Sequence, residues 1–205
     1  MLKIIWHLLF VFVVLIIQHG AAMSTEEPKY TIEVKKDVYE IRKYGPQLVA
    51  ETLVTGAFAD AGNSAFRILA DYIFGNNKAK SKIAMTAPVT QAPSEKIAMT
   101  APVTMAKSEG RYLVQFTMPD TLTLANIPEP NDSRVKIRAL PERRVAVYKY
   151  SGSWSEARYQ EKLSLFLAAL KRDNLSVTTE PVLARFNSPF QLWFLRRNEI
   201  WIELN

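Results

Sequence analysis

The chain has 205 residues, 48% of them hydrophobic and 22% charged, with a formal net charge of +6. That balance suits a globular protein with one good core or two small ones, and it excludes a wholly disordered chain. There is no cysteine, and the only histidines are His7 and His19, so disulfides, cysteine nucleophiles and thiolate metal sites are excluded at the outset.

The N-terminus carries Lys3, an unbroken apolar run from Ile4 to Ile17, and then the small residues Gly20, Ala21 and Ala22. This is the pattern of a signal peptide cleaved after Ala22, residues 1–22. A membrane anchor is the competing reading, but the run is short against the roughly 20 residues that a bilayer span requires. Cleavage removes Lys3 and leaves a balance of +5, with Lys and Arg scattered among Asp and Glu. Such a surface is better read as solvated than as a nucleic-acid footprint. Both histidines leave with the signal segment, so the mature chain has no imidazole for acid–base work or metal ligation. The expected protein is exported, periplasmic or secreted, is a monomer, and touches a membrane only if the segment is retained.

Residues 23–29 are polar and read as a flexible tether. Tyr30 to Val34 and Val38 to Tyr44 alternate as half-buried strands, Gly45-Pro46 marks a turn, and Leu48 to Thr55 reads as a third strand. From Ala59 to Phe74 the period changes. Phe58, Ala61, Ala65, Leu69, Tyr72 and Ile73 fall on one side at roughly 100° per residue, which predicts an amphipathic helix ended by Gly75.

Strand-like segments follow at Ile83 to Thr90, Ile97 to Thr104 and Tyr112 to Met118. A Pro-rich connection runs through Pro119, Pro128 and Pro130. Val135 to Leu140 and Arg144 to Tyr150 read as strands, and Ser153 to Asp173 as a second helix with Tyr159, Leu163, Phe166, Leu167 and Leu170 on its apolar side. Val182 to Phe186, Gln191 to Leu195 and Glu199 to Leu204 complete the chain as strands.

The order strands, helix, strands occurs twice. Sliding the chain by 96 positions aligns Ile41-Arg42 with Ile137-Arg138, Val49-Ala50 with Val145-Ala146, Gly56 with Gly152 and Ala61 with Ala157, six identities over 21 positions. Phe58 falls opposite Trp154 in the same register. A duplicated unit follows, each half a small antiparallel sheet with one helix, the halves covering about 30–118 and 134–205. A ligand would fit the groove between them. A closer repeat lies inside the first half, where KIAMTAPVTQAPSE at Lys82 to Glu95 is followed by KIAMTAPVTMAKSE at Lys96 to Glu109, with twelve of fourteen positions identical. Its near-identical strands invite a change of register, although a tandem duplication with no function of its own explains it equally well.

YEIRKYGPQLVAET at Tyr39 to Thr52, FRILADYIFGNN at Phe66 to Asn77, KIAMTAPVT, FTMP at Phe116 to Pro119, the strand from Val145 to Gly152, and RRNEIWIEL at Arg196 to Leu204 resemble the successive motifs of the SOUL haem-binding family, here in an exported, bacterial-type form. The resemblance covers about residues 30–205. It implies an α+β fold, a distorted antiparallel β-barrel built from two pseudo-symmetric strand-helix-strand halves with two helices, similar to the bacterial GyrI-like multidrug-binding domains. It also implies non-catalytic binding of haem b or another porphyrin by a carrier, buffer or scavenger.

If haem binds, its ring must bury apolar area and its propionates must meet cations. The resemblance points to the first helix and the IAMTAPV segment. Phe66, Leu69, Ile73, Met85 and Met99 are the expected wall, with Arg67, Arg196 or Arg197 as propionate partners and Met85, Met99 or Tyr72 as weak axial ligands. Histidine ligation is excluded in the mature chain. Leu69, Tyr72 and Ile73 also read as plain core, the two methionines as packing residues, and Trp154, Trp193 and Trp201 as core aromatics. Two rival functions are a module for other amphipathic small molecules and a hydrolase pairing Glu51 or Glu199 with Tyr148. No phosphate-binding loop, nucleophile elbow or zinc-protease motif is present.

Overall fold

A computed structural model describes residues 25–79 and 94–204. Strands β1 (Tyr30–Lys35), β2 (Glu40–Tyr44) and β3 (Gln47–Val54) lead into helix α1 (Phe58–Ile73). The short β4 (Asn77–Lys78), then β5 (Val103–Ser108), β6 (Arg111–Thr117), the short β7 (Glu129–Pro130), β8 (Lys136–Leu140) and β9 (Arg143–Ser151) lead into α2 (Glu156–Arg172). β10 (Val182–Arg185), a turn of 3-10 helix (Trp193–Leu195) and β11 (Arg197–Leu204) end the chain.

Nine of the strands form one antiparallel sheet in the order β1-β2-β9-β11-β10-β5-β6-β3-β8, curled into a half-barrel. The order is symmetric about the β10–β5 pair. β5, β6 and β3 mirror β10, β11 and β9, as the duplication predicts. The two strands that the slide aligns through Ile41-Arg42 and Ile137-Arg138 cross over: β2 pairs with β9, and β8 pairs with β3. Each half therefore completes the sheet of the other. Gly56 and Gly152, aligned by the same 96-residue slide, both adopt positive φ (122° and 132°) just ahead of a helix, a conformation that costs glycine nothing. At Gly152 a Cβ would also meet Arg158 Cδ at 2.8 Å.

The helix stripes are those expected from the periodicity. Phe58, Ala61, Ala65, Leu69, Tyr72 and Ile73 of α1 and Tyr159, Phe166, Ala169 and Leu170 of α2 are buried. They share one core with Ile41, Ala50, Ala146, Ile200 and Ile202 of the sheet. α2 is capped by Ser155, whose hydroxyl accepts from Arg158 N, as its short polar side chain favours. The other face of the sheet carries a smaller cluster of Tyr44, Val145, Val147, Ala184 and Trp201. β11 feeds both, and its burial from Asn198 to Ile202 is continuous for that reason.

Two expected strands differ. Ile97 to Thr104 was expected as a strand, but β5 begins only at Val103; before it, Thr100 makes an isolated parallel bridge to Glu26. Pro102 lies within the expected run, and proline is a poor ladder residue. Gln191 to Leu195 is not a strand. β10 and β11 pair from Arg185 with Asn198, so the residues between them form the connection, and no strand partner remains for it. Ile83 to Thr90 lies outside the described residues.

Of the two tandem copies, the second supplies β5. Met105 is buried there, and β5 is a central strand paired with both β10 and β6. The first copy would place Gln91 and Pro93 at the positions of Met105 and Lys107, a polar group in the core and a proline in a central ladder, both unfavourable.

Candidate functional site

Two arginines lie against aromatic rings in opposite circumstances. Arg42 of β2 is fully buried, its guanidinium 4.2 Å from the Tyr30 ring centroid. It reaches Glu199 with both terminal nitrogens, at 3.0 Å and 3.2 Å. Glu199 also accepts from Trp201 Nε1 at 2.7 Å and from Arg197 Nε at 3.0 Å. Burial alone would lower the Arg42 pKa, but the hydrogen bonds and charge of Glu199 outweigh it and hold the guanidinium above its ordinary value. This cluster is closed upon itself.

Arg185, at the end of β10, has no such partner. Its guanidinium lies 4.9 Å from the Trp154 ring centroid and 5.8 Å from that of Phe58, the two residues that the duplication places in register. Among the described residues its side chain makes no ion pair, and its buried Nε has no hydrogen-bond partner. Burial holds its pKa below the ordinary arginine value, and the charge of Arg196 pushes the same way. Gly62 of α1 faces it closely: a Cβ there would lie 3.4 Å from Arg185 Nη1. Phe66 follows one turn along on the same side of the helix.

Above this cation rises the β10–β11 connection. Phe190 is 94% exposed, and Leu192, Trp193, Phe194 and Leu195 are each more than half exposed. The loop is nonetheless built. Arg196 Nε donates to Gln191 O at 2.9 Å and Nη2 to Pro189 O at 2.7 Å, while its guanidinium stacks 4.2 Å from Trp154. Asn187 Oδ1 accepts from Arg197 N at 2.6 Å. Trp154 Nε1 donates to the buried Asn198 at 2.9 Å. An apolar loop, a flat indole and an unpaired cation thus meet at the junction of the two halves.

The expected site residues fall into separate groups. Phe66 is partly exposed on α1 and packs against Phe116 with ring centroids 5.4 Å apart, and Arg67 is exposed. Leu69 and Ile73 are fully buried in the core and offer no surface to a ligand in this conformation. Tyr72 is equally buried and its hydroxyl donates to Pro128 O at 2.8 Å, which engages the oxygen an iron would need. Met99 is exposed, and Met85 lies outside the described residues. Arg196 clamps the loop, and Arg197 is paired with Glu27 and Glu199, both at 2.9 Å.

Sequence reasoning missed Arg185, which looks like any strand-end arginine. The signal available was the register of Phe58 with Trp154, whose rings flank it. The carboxylate–tyrosine pairs of the hydrolase reading are not assembled. Glu199 shares a sheet face with Trp201, whereas Tyr148 packs against Phe166 in the main core, 5.7 Å between centroids, on the opposite face. Glu51 instead accepts from Gln115 at 2.7 Å.

Clefts near the junction are small. One of about 180 Å³ is lined by Phe58, Met105, Tyr112, Tyr159, Leu163 and Pro181 among others. Another, of about 420 Å³, lies between the tether and the β2–β3 turn, but its cation, Lys29, is already paired with Asp120 at 2.9 Å.

The family model described as SOUL heme-binding protein matches residues 25–203. The chain belongs to the SOUL haem-binding family. Heme-binding protein 2 of Mus musculus is 34% identical over 174 residues, which cover 83% of this chain and 80% of the relative. The human protein of the same name is 34% identical over 167 residues, 80% of this chain and 77% of the relative. Among solved structures, the C-terminal domain of EcmrR superposes with a TM-score of 0.58 at 10% identity, covering 86% of this chain and 98% of that one. That last likeness concerns the fold alone. Membership of the family makes a tetrapyrrole the ligand class to test against the geometry. No imidazole follows residue 19 of the chain.

Proposed function

We propose that this SOUL-family chain binds haem b or a related porphyrin at the Arg185–Trp154 junction, as a non-catalytic carrier or buffer outside the cytoplasm. The observation that carries the reading is the guanidinium of Arg185, partly buried against two aromatic rings, with a buried Nε that has no hydrogen-bond partner and no ion pair among the described residues. Leaving a charge so placed costs stability unless a ligand repays it. A propionate would pair with it, and the ring would lie against Trp154 and the outer side of α1 near Phe66. Arg67 is the second candidate cation, being exposed and without an ion pair among the described residues.

The absence of histidine after residue 19 supports a mode in which apolar contact and carboxylate pairing supply the affinity and the iron contributes little. The short apolar segment at the N-terminus followed by small residues supports export. The test is a titration with haemin and, in parallel, iron-free protoporphyrin IX, read by the Soret band and by tryptophan quenching. Saturable one-to-one binding of both is expected. Binding of haemin alone would replace this mode with ligation by Met99 or another side chain, and no saturable binding of either would overturn the proposal.

A further inference from the structure

Five large apolar side chains in a stretch of six residues stand in water on the β10–β11 loop, each forgoing about 1.5–3 kcal/mol that burial would yield. A contiguous patch of this kind marks a docking surface. We propose that the loop Phe190–Leu195 is a membrane-insertion tip whose occupant is the apolar edge of a lipid bilayer. This goes beyond the tetrapyrrole reading and does not rest on it.

Three observations favour lipid. First, the composition, Phe190, Leu192, Trp193, Phe194 and Leu195, combines the side chains that immerse in the headgroup–acyl boundary with the tryptophan that prefers it. Second, the cations at the foot of the loop are engaged within the protein or buried. Arg196 is spent on loop carbonyls, Arg197 on Glu27 and Glu199, and Arg185 lies partly buried beside Phe58 and Trp154. What the tip presents is apolar area on a braced frame. Third, the described chain begins at the base of the loop. Glu27, two residues into the described chain, is held by Arg197 at the base of the loop. Ile17, the end of the apolar N-terminal run, lies only ten residues before it, a reach of about 35 Å at most for extended chain.

The absence of cysteine makes the test clean. The full chain is given one cysteine, Phe190→Cys or Leu192→Cys, labelled with an environment-sensitive fluorophore, and mixed with vesicles of phosphatidylcholine and phosphatidylglycerol that carry quenchers at shallow or deep positions. Leu165→Cys on α2, at a site that is also half exposed and apolar, is the control. No tetrapyrrole is present, so this result and the haemin result are independent. The expected outcome is emission that moves to the blue and brightens severalfold on vesicles at both loop positions, persists in high salt, is quenched most by the shallow quencher, and is absent at position 165. Three results would overturn the proposal: loop labels as unresponsive as the control; loop labels already blue in buffer and indifferent to vesicles, which would mean that the N-terminal segment or a second copy covers the loop; or a shift abolished by salt, which would mean electrostatic adsorption without insertion.

Discussion

Arg42 and Arg185 both lie against aromatic rings, the first fully buried and the second partly, and they differ most in what answers the charge. Arg42 meets a fully buried carboxylate in two-pronged geometry, and every group in its cluster is answered by another. Arg185 meets only ring faces, with Trp154 held in place from behind by Asn198. The first arrangement locks β2 to β11 across two intervening pairings with β9 and leaves nothing for a partner. The second leaves charge unsatisfied at a surface rich in exposed apolar side chains. A charge that structure has consumed and a charge that structure has kept in reserve should respond in opposite ways to substitution.

The largest effect is expected at the closed cluster. Glu199→Gln leaves the buried Arg42 with only the Glu40 carboxylate, 3.0 Å away, and should cost about 3 kcal/mol in urea unfolding; an effect below about 1 kcal/mol would show that the pair is dispensable. Next in size is the alkaline limb. Burial, opposed by the charge of Arg42, raises the Tyr44 hydroxyl to about 12. Its folded pKa thus exceeds the unfolded value near 10, so its contribution is complete below about pH 10 and is lost as pH rises towards 12. Stability should fall over that window by about 2–3 kcal/mol from this group at its limit. Tyrosinate absorbance that rises in step with unfolding would confirm it, and full titration near pH 10 in the folded protein would refute it.

Arg185→Gln should behave differently from Glu199→Gln. Losing a charge-assisted hydrogen bond worth about 1.5–3 kcal/mol should weaken a carboxylate-bearing porphyrin roughly tenfold to a hundredfold, while the unfolding midpoint holds or rises because a partly buried charge without an ion pair has gone. A large loss of stability would place Arg185 with Arg42 as a structural cation. The smallest expected change is in Leu192→Ser combined with Phe194→Ser, which should leave stability within about 0.5 kcal/mol because both side chains are exposed. A loss well beyond that would mean that the loop packs against the body.

The helices and their buried stripes were legible because amphipathic periodicity reports burial directly. The symmetric order of the sheet was legible through paired positions such as Gly56 and Gly152, whose backbone conformation leaves a mark on residue identity. The Arg42–Glu199 pair was not, since 157 residues separate the partners and nothing local announces the contact. Gln191 to Leu195 was read as a strand because β-forming apolar residues look alike whether or not a ladder is available to receive them. Arg196 and Arg197 read as equivalent, yet one clamps a loop and the other bridges two glutamates, because Arg196 still belongs to the connection and Arg197 opens β11. At the site, the resemblance pointed to α1, whose Gly62 does face Arg185, but Leu69 and Ile73 answer to the core.

The most direct test of the reserved cation compares protoporphyrin IX with its dimethyl ester on the wild-type protein and on Arg185→Gln. The ester keeps the ring and removes the negative charges. If Arg185 pairs with a propionate, the wild-type chain will prefer the free acid by tenfold or more, and the substitution will erase most of that preference while leaving ester binding nearly unchanged. An undiminished preference in Arg185→Gln would contradict the account and move the carboxylate to another cation.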